Sequence, residues 1–318
     1  MATHTSFVRK SGVDGGTIRL NTKGQLAAGG IMEPFSAGTL GGAPSVFYVD
    51  GNVVSSGNGL SWLSAVKTLA EGLALAQAYQ STSGNRAWAH RSTVYVCGDA
   101  LVEDIVLAAE KTDVIGVGSS NSHDMVEITG NHVPATNNTW GMRWYHCHFQ
   151  EVDTGAIWTL QAQESGWKFI DCVFSARSVN TTHGILWTAA YNLEVRDCLF
   201  DGFPNAFTTG AIVIGAGTSD RVLIHDNQIY GRLPIVIDAS FTEVAGILHI
   251  DNNVIIGFNK VITDASNLAV VTRNRMITTN ISEGTPGDMW DGASARWADN
   301  QITGSGGTAD QVPYVSES

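Results

Sequence analysis

Residues 224–229 read Ile224-His225-Asp226-Asn227-Gln228-Ile229, and residues 250–255 read Ile250-Asp251-Asn252-Asn253-Val254-Ile255. Each has a large apolar residue, two spacers, Asn, one spacer and a second large apolar residue. The frame recurs at Trp144-Tyr145-His146-Cys147-His148-Phe149, Phe169-Ile170-Asp171-Cys172-Val173-Phe174 and Val195-Arg196-Asp197-Cys198-Leu199-Phe200. It recurs again at Val271-Thr272-Arg273-Asn274-Arg275-Met276 and Trp297-Ala298-Asp299-Asn300-Gln301-Ile302. The central column is therefore Cys147, Cys172, Cys198, Asn227, Asn253, Asn274, Asn300, with steps of 25, 26, 29, 26, 21 and 26 residues. Seven copies at a nearly fixed period indicate a repeat architecture.

Between the copies lie further strand-like runs: Ala156–Leu160, Gly184–Trp187, Ala211–Ile214, Pro234–Ile237 and Lys260–Thr263. Each repeat thus holds two or three short strands and their turns, with no room for a helix. This is the pattern of a parallel β-helix coil. Coils stack at about 4.8 Å, so equivalent residues lie above one another. An inward Asn at a bend can bond its neighbours above and below and satisfy turn backbone. Cys can fill that slot as a small buried group. The columns from Trp144 to Trp297 and from Phe149 to Ile302 are the expected core.

Composition agrees. Only 15% of the 318 residues are charged, and 35 are Gly. The net charge is −12 with six Lys, which argues against broad nucleic-acid binding. No apolar run is long enough for a membrane-spanning helix. The polar start, Met1-Ala2-Thr3-His4-Thr5, lacks the apolar region of a secretory signal. The expectation is synthesis in a cytoplasm and no membrane insertion.

The coils, as in Leu223-Ile224-His225-Asp226-Asn227-Gln228-Ile229-Tyr230-Gly231, resemble those of right-handed parallel β-helix (pectin-lyase-like) proteins. So does the start, where Phe47-Tyr48-Val49-Asp50-Gly51 leads through Gly57–Trp62 into Ala65–Ala74. The resemblance covers about residues 45–304. It implies an all-β, right-handed single-stranded solenoid with an N-terminal capping helix near 62–79. Val66, Leu69, Leu73 and Ala76, or Ala70, Leu73 and Gln77 in the other register, give that helix an apolar stripe. Ser92–Gly98 and Asp113–Gly118 read as the first full coils. Residues 1–44, with nine Gly, read as an extended arm, and 305–318 as a tail. The C-terminal stretch from 280 is expected to cover the last coil or pack on a neighbouring subunit, since open sheet ends need covering.

The residue before the column is acidic at Asp171, Asp197, Asp226 and Asp299. Stacking would set Asp171, Asp197 and Asp226 about 5 Å apart. That spacing suits a retaining glycosidase pair or a Ca²⁺ ion. The stronger reading is that these are turn residues that cap their own backbone. The clusters of polygalacturonase-like and pectate-lyase-like enzymes do not occur. His146-Cys147-His148 on a straight strand would point its two His one way and Cys the other, so no metal site is expected. Cys172 and Cys198 fall within reach of a disulfide, and a reduced stack is the simpler expectation. Trp158 and Trp187, on neighbouring coils, are candidates for stacking on sugars or for core and interface anchors.

Three functions follow. The first is a structural virion protein of a tailed bacteriophage: a head decoration protein, fibre or tail spike. It would be a homotrimer, anchored to other virion proteins by the arm, with no cofactor. The second is a polysaccharide lyase or glycosidase on the same fold, and the third a module that binds a surface glycan without catalysis. The fold permits all three.

Overall fold

The computed structural model describes residues 7–8, 17–18, 46–81, 91–107, 109–118, 125–135, 140–152, 155–161, 165–188, 191–202, 206–258, 260–278, 290–291, 296–303 and 309–311. The chain divides into two units, Met1–Val46 and Phe47–Ser318. In the first, Phe7–Val8 pairs antiparallel with Thr17–Ile18. The rest of the expected arm lies outside the described residues.

The second unit is an all-β parallel solenoid of about six turns. Each full turn contributes one strand to each of three sheets. Sheet A has ten strands, running from Val46–Asp50 through Ser92–Cys97 and Arg143–Tyr145 to Trp297–Ala298. Sheet B has ten, running from Leu101–Val102 through Cys147–Gln150 to Ala309–Gln311. Sheet C has six: Gly155–Leu160, Thr181–Trp187, Gly210–Ile214, Ile235–Ile237, Ile262–Asp264 and Trp290–Asp291. The inter-copy runs of the sequence are five of these sheet C strands, within three residues at their starts.

The register is the one the repeat demands. On sheet A, Trp144, Phe169, Val195, Ile224, Ile250, Val271 and Trp297 are successive partners. On sheet B the same holds for Phe149, Phe174, Phe200, Ile229, Ile255, Met276 and Ile302. Nearly all these side chains are sealed inside one continuous core. Phe174 and Phe200 stack nearly parallel, with ring centroids 4.4 Å apart. Such packing is the main favourable term of the fold.

Helix α1, Leu69–Ser81, begins one turn after the short 3₁₀ segment Trp62–Ser64. Its start carries a capping box: Thr68 N–H donates to Glu71 (3.0 Å) and Thr68 Oγ1 accepts Glu71 N–H (3.2 Å). The Glu103 carboxylate accepts the Leu69 and Ala70 N–H groups at 2.7 and 2.9 Å. Leu69, Leu73 and Ala76 face the core, which is the first of the two registers expected. Gly72 makes the close approach possible, because a Cβ there would stand 2.4 Å from Val49 and 3.2 Å from Val94.

At the far end, Ala309–Gln311 returns antiparallel onto Gln301–Thr303. Part of the C-terminal stretch, expected to cover the last coil or to pack on a neighbouring subunit, thus adds a strand to the edge of sheet B. An exposed ladder of backbone groups is covered in this way.

Candidate functional site

The column residues sit at the bend between sheets A and B. Asn227 Oδ1 accepts Cys198 N–H at 2.9 Å, and Asn227 Nδ2 donates to Val195 O and to Asn253 Oδ1 at 3.0 and 2.9 Å. Asn253 repeats the pattern with Asn227 N–H, Ile224 O and Asn274. Asn274 does so with Asn253 N–H, Ile250 O and Asn300, and Asn300 donates to Val271 O. Buried amides are thereby satisfied through every coil they touch.

Cys keeps half of this role. Cys198 and Cys172 donate S–H to Phe169 O and Trp144 O at 3.4 and 3.6 Å, the positions that Nδ2 reaches elsewhere. All four cysteines are free thiols. Burial pushes the Cys147 and Cys198 thiols well above their ordinary range, which keeps them protonated as donors.

The residue before the column is left-handed in all seven copies: His146, Asp171, Asp197, Asp226, Asn252, Arg273 and Asp299 have φ between 52° and 59°. Asp and Asn tolerate that conformation better than other side chains, which accounts for their frequency here. The carboxylates of Asp171, Asp197 and Asp226 face solvent and hold local partners. Asp171 bonds His146 Nδ1 at 2.9 Å, Asp197 pairs with Arg196 at 2.5 Å, and Asp226 pairs with His225 at 2.7 Å. Hydrogen bonds from His225 and Asn252 hold the Asp226 carboxyl below the usual range. The bend also changes the histidine geometry. His146 sits in the bend after the sheet A strand and His148 within the sheet B strand Cys147–Gln150, where His148 Nε2 lies 2.9 Å from Ser175 Oγ. Trp158 and Trp187 are core residues, 0% and 1% exposed, so neither offers a ring face to a sugar.

A different site emerges on the outer face of sheet A. Cross-strand partners one residue before the apolar column are Asp113, Arg143, Lys168, Glu194 and Leu223. Three residues before the column stand Lys111, Gly141, Gly166, Asn192 and Arg221. The first four of these are left-handed, with φ of 46°, 72°, 67° and 57°. Two successive glycines leave the sheet bare between Lys111 on one side and Asn192 on the other. A groove of about 410 Å³ opens there. Arg91, Lys111, Arg143, Lys168 and Arg221 line it with one carboxylate, Glu194, and Trp140 stands at its rim. Arg91 forks onto Asp113 (Nη2 to Oδ1 2.5 Å) and onto Gly141 O at 2.6 Å. Glu194 pairs with Lys168 and with Arg196 at 3.2 Å. Burial works against ionising Glu194, but Lys168, Arg196 and His225 outweigh it and hold the carboxyl low.

No family model, curated protein or solved structure matches the chain.

The groove escaped the reading of the sequence. Its signal was Gly141-Met142-Arg143-Trp144, Gly166-Trp167-Lys168-Phe169 and Asn192-Leu193-Glu194-Val195. The chemistry in these segments becomes visible only when they are laid side by side in register.

Proposed function

We propose that the chain is a non-catalytic structural protein of a tailed-phage virion, a decoration protein, fibre or tail spike, assembled as a homotrimer. The observation that carries the reading is the stack itself. A column of Asn amides, continued by Cys thiols, runs through the coils, and Asp171, Asp197 and Asp226 are committed to left-handed turns and local ion pairs. A rod of this kind is a rigid spacer, and a rigid spacer is what such an appendage requires. We assign it to the pectin-lyase-like class of β-helices. The coil is taken as right-handed, because strand crossovers returning to the same parallel sheet have that hand almost without exception. Helix α1, seated on Val49 and Val94, closes the first coil, and residues 1–44 anchor the protein to its particle.

Native mass in solution and immunogold micrographs of particles test the proposal. A trimer labelled on particles supports it; a monomer absent from particles refutes it. A glycan lyase or glycosidase is the alternative on this fold. It would release reducing ends or unsaturated products from surface glycans, and Asp197→Asn or Asp226→Asn would abolish the release.

A further inference from the structure

We propose that the groove over Gly141 and Gly166 binds a phosphomonoester carried by a small organic ligand, with Arg143 as its principal partner. This stands whether or not the chain belongs to a virion.

The first support is charge. Five cations and one carboxylate line the groove of a chain whose net charge is −12. Arg143 and Lys168 are direct cross-strand partners. Like charges in that relation repel, and the arrangement costs stability unless an anion enters. The nearby carboxylates are already engaged, Asp113 by the Arg91 fork and Glu194 by Lys168 and Arg196. Arg143, set within the sheet, has no carboxylate partner among the described residues. Its Nε is buried and has no hydrogen-bond partner among the described residues. A buried charged donor without an acceptor is costly, and an oxyanion would satisfy it.

The second support is space. The floor exists because two consecutive coils carry Gly at the same left-handed position, and side chains there would fill the groove from below. Its volume suits a ligand the size of a sugar phosphate. Trp140 is 42% exposed at the rim and can cover the apolar face of such a ligand.

The third support is valence. Five cations less Glu194 leave +4 in the lining, or +3 when Asp113 is added. That excess matches a dianion better than a single carboxylate. The planar guanidinium fork also fits the oxygens of a tetrahedral oxyanion.

Calorimetric titration of the full chain with glucose 6-phosphate, glucuronate and glucose tests the proposal. Saturable binding of glucose 6-phosphate is expected, with weaker binding of glucuronate and none of glucose. Arg143→Gln should weaken the phosphate ester about tenfold or more, from loss of a charge-assisted bond. Without ligand, the same variant should keep its far-UV spectrum and show a urea midpoint at or above the parent's, because it removes an uncompensated cation. Arg221→Gln, at an exposed site, should weaken binding less and serves if Arg143→Gln does not fold. The proposal is overturned if glucose 6-phosphate does not bind. It is overturned equally if glucuronate or glucose binds as tightly, or if both variants bind like the parent.

Discussion

Replacing Asn253 with Ala separates the ladder from ordinary packing. Asn253 Oδ1 accepts from Asn227 N–H at 3.0 Å and from Asn227 Nδ2 at 2.9 Å, and its own Nδ2 donates to Ile224 O and Asn274 Oδ1 at 3.0 and 2.9 Å. Truncation strands the Asn227 N–H outright. Two of the other three partners keep alternatives: Asn227 Nδ2 still reaches Val195 O, and Asn274 Oδ1 still accepts Asn253 N–H. Ile224 O loses its side-chain donor. An orphaned N–H, a carbonyl short of a donor and the weakening of two further groups should cost about 3–5 kcal/mol in all, at about 1–3 kcal/mol per buried group left unpaired. Asn253→Cys should cost less, about 1–3 kcal/mol, because a thiol at this slot can donate to Ile224 O as Cys198 does to Phe169 O. Urea unfolding of the three proteins, followed by tryptophan fluorescence and circular dichroism, gives the order. Parent above Cys above Ala is expected. If Ala matches the parent, or Cys is as damaging as Ala, the hydrogen-bond ladder is not what holds the bend.

Three further expectations are independent of the ladder. Gly72→Ala gains about 1 kcal/mol of helix propensity but drives a Cβ to 2.4 Å from Val49, so a net loss of stability is expected by thermal melting, and a gain would contradict the seating of α1. Burial pushes the His132 imidazole down to about 3. The unfolded chain therefore binds a proton that the folded chain refuses between pH 6.5 and 3, and this residue should lower stability by about 1.4 kcal/mol per pH unit as pH falls through that window. His132→Phe should lose that slope in urea titrations from pH 7 to 4; an unchanged slope would remove His132 as its source. The Asp226, Asp251 and Glu194 carboxyls are all held low in the folded state. Their support is present above about pH 4, the unfolded value, and fades as pH drops through their lower folded values, so acid unfolding should steepen there. A flat stability profile below pH 4 would contradict those ion pairs.

The solenoid was legible because its information is periodic. Apolar residues three before and two after each Cys or Asn must stack once the strands are parallel, and they do. The helix was legible from its stripe, though the capping box at Thr68 and Glu71 fixes its start better than the stripe does. Asp171, Asp197 and Asp226 could be read as turn residues or as a site, and the left-handed φ shared with His146 and Arg273 explains them as turn. No pattern of residue type reveals that last fact, since His and Arg occupy the same slot. Trp158 and Trp187 show the converse limit: a sequence gives the spacing of large rings but not which side of a sheet they take. The groove was hidden for another reason. It is made by residues in separate coils, each unremarkable alone, and by the absence of side chains at Gly141 and Gly166.

The central claim is that seven side chains form one vertical column. Nuclear Overhauser spectroscopy on protein labelled with ¹⁵N-asparagine tests it most directly. We expect four side-chain amides, those of Asn227, Asn253, Asn274 and Asn300, to resist hydrogen exchange and to show cross-peaks in that order, each with the coils directly above and below it. Rapidly exchanging amides with no such chain of cross-peaks would contradict the column and the solenoid built on it.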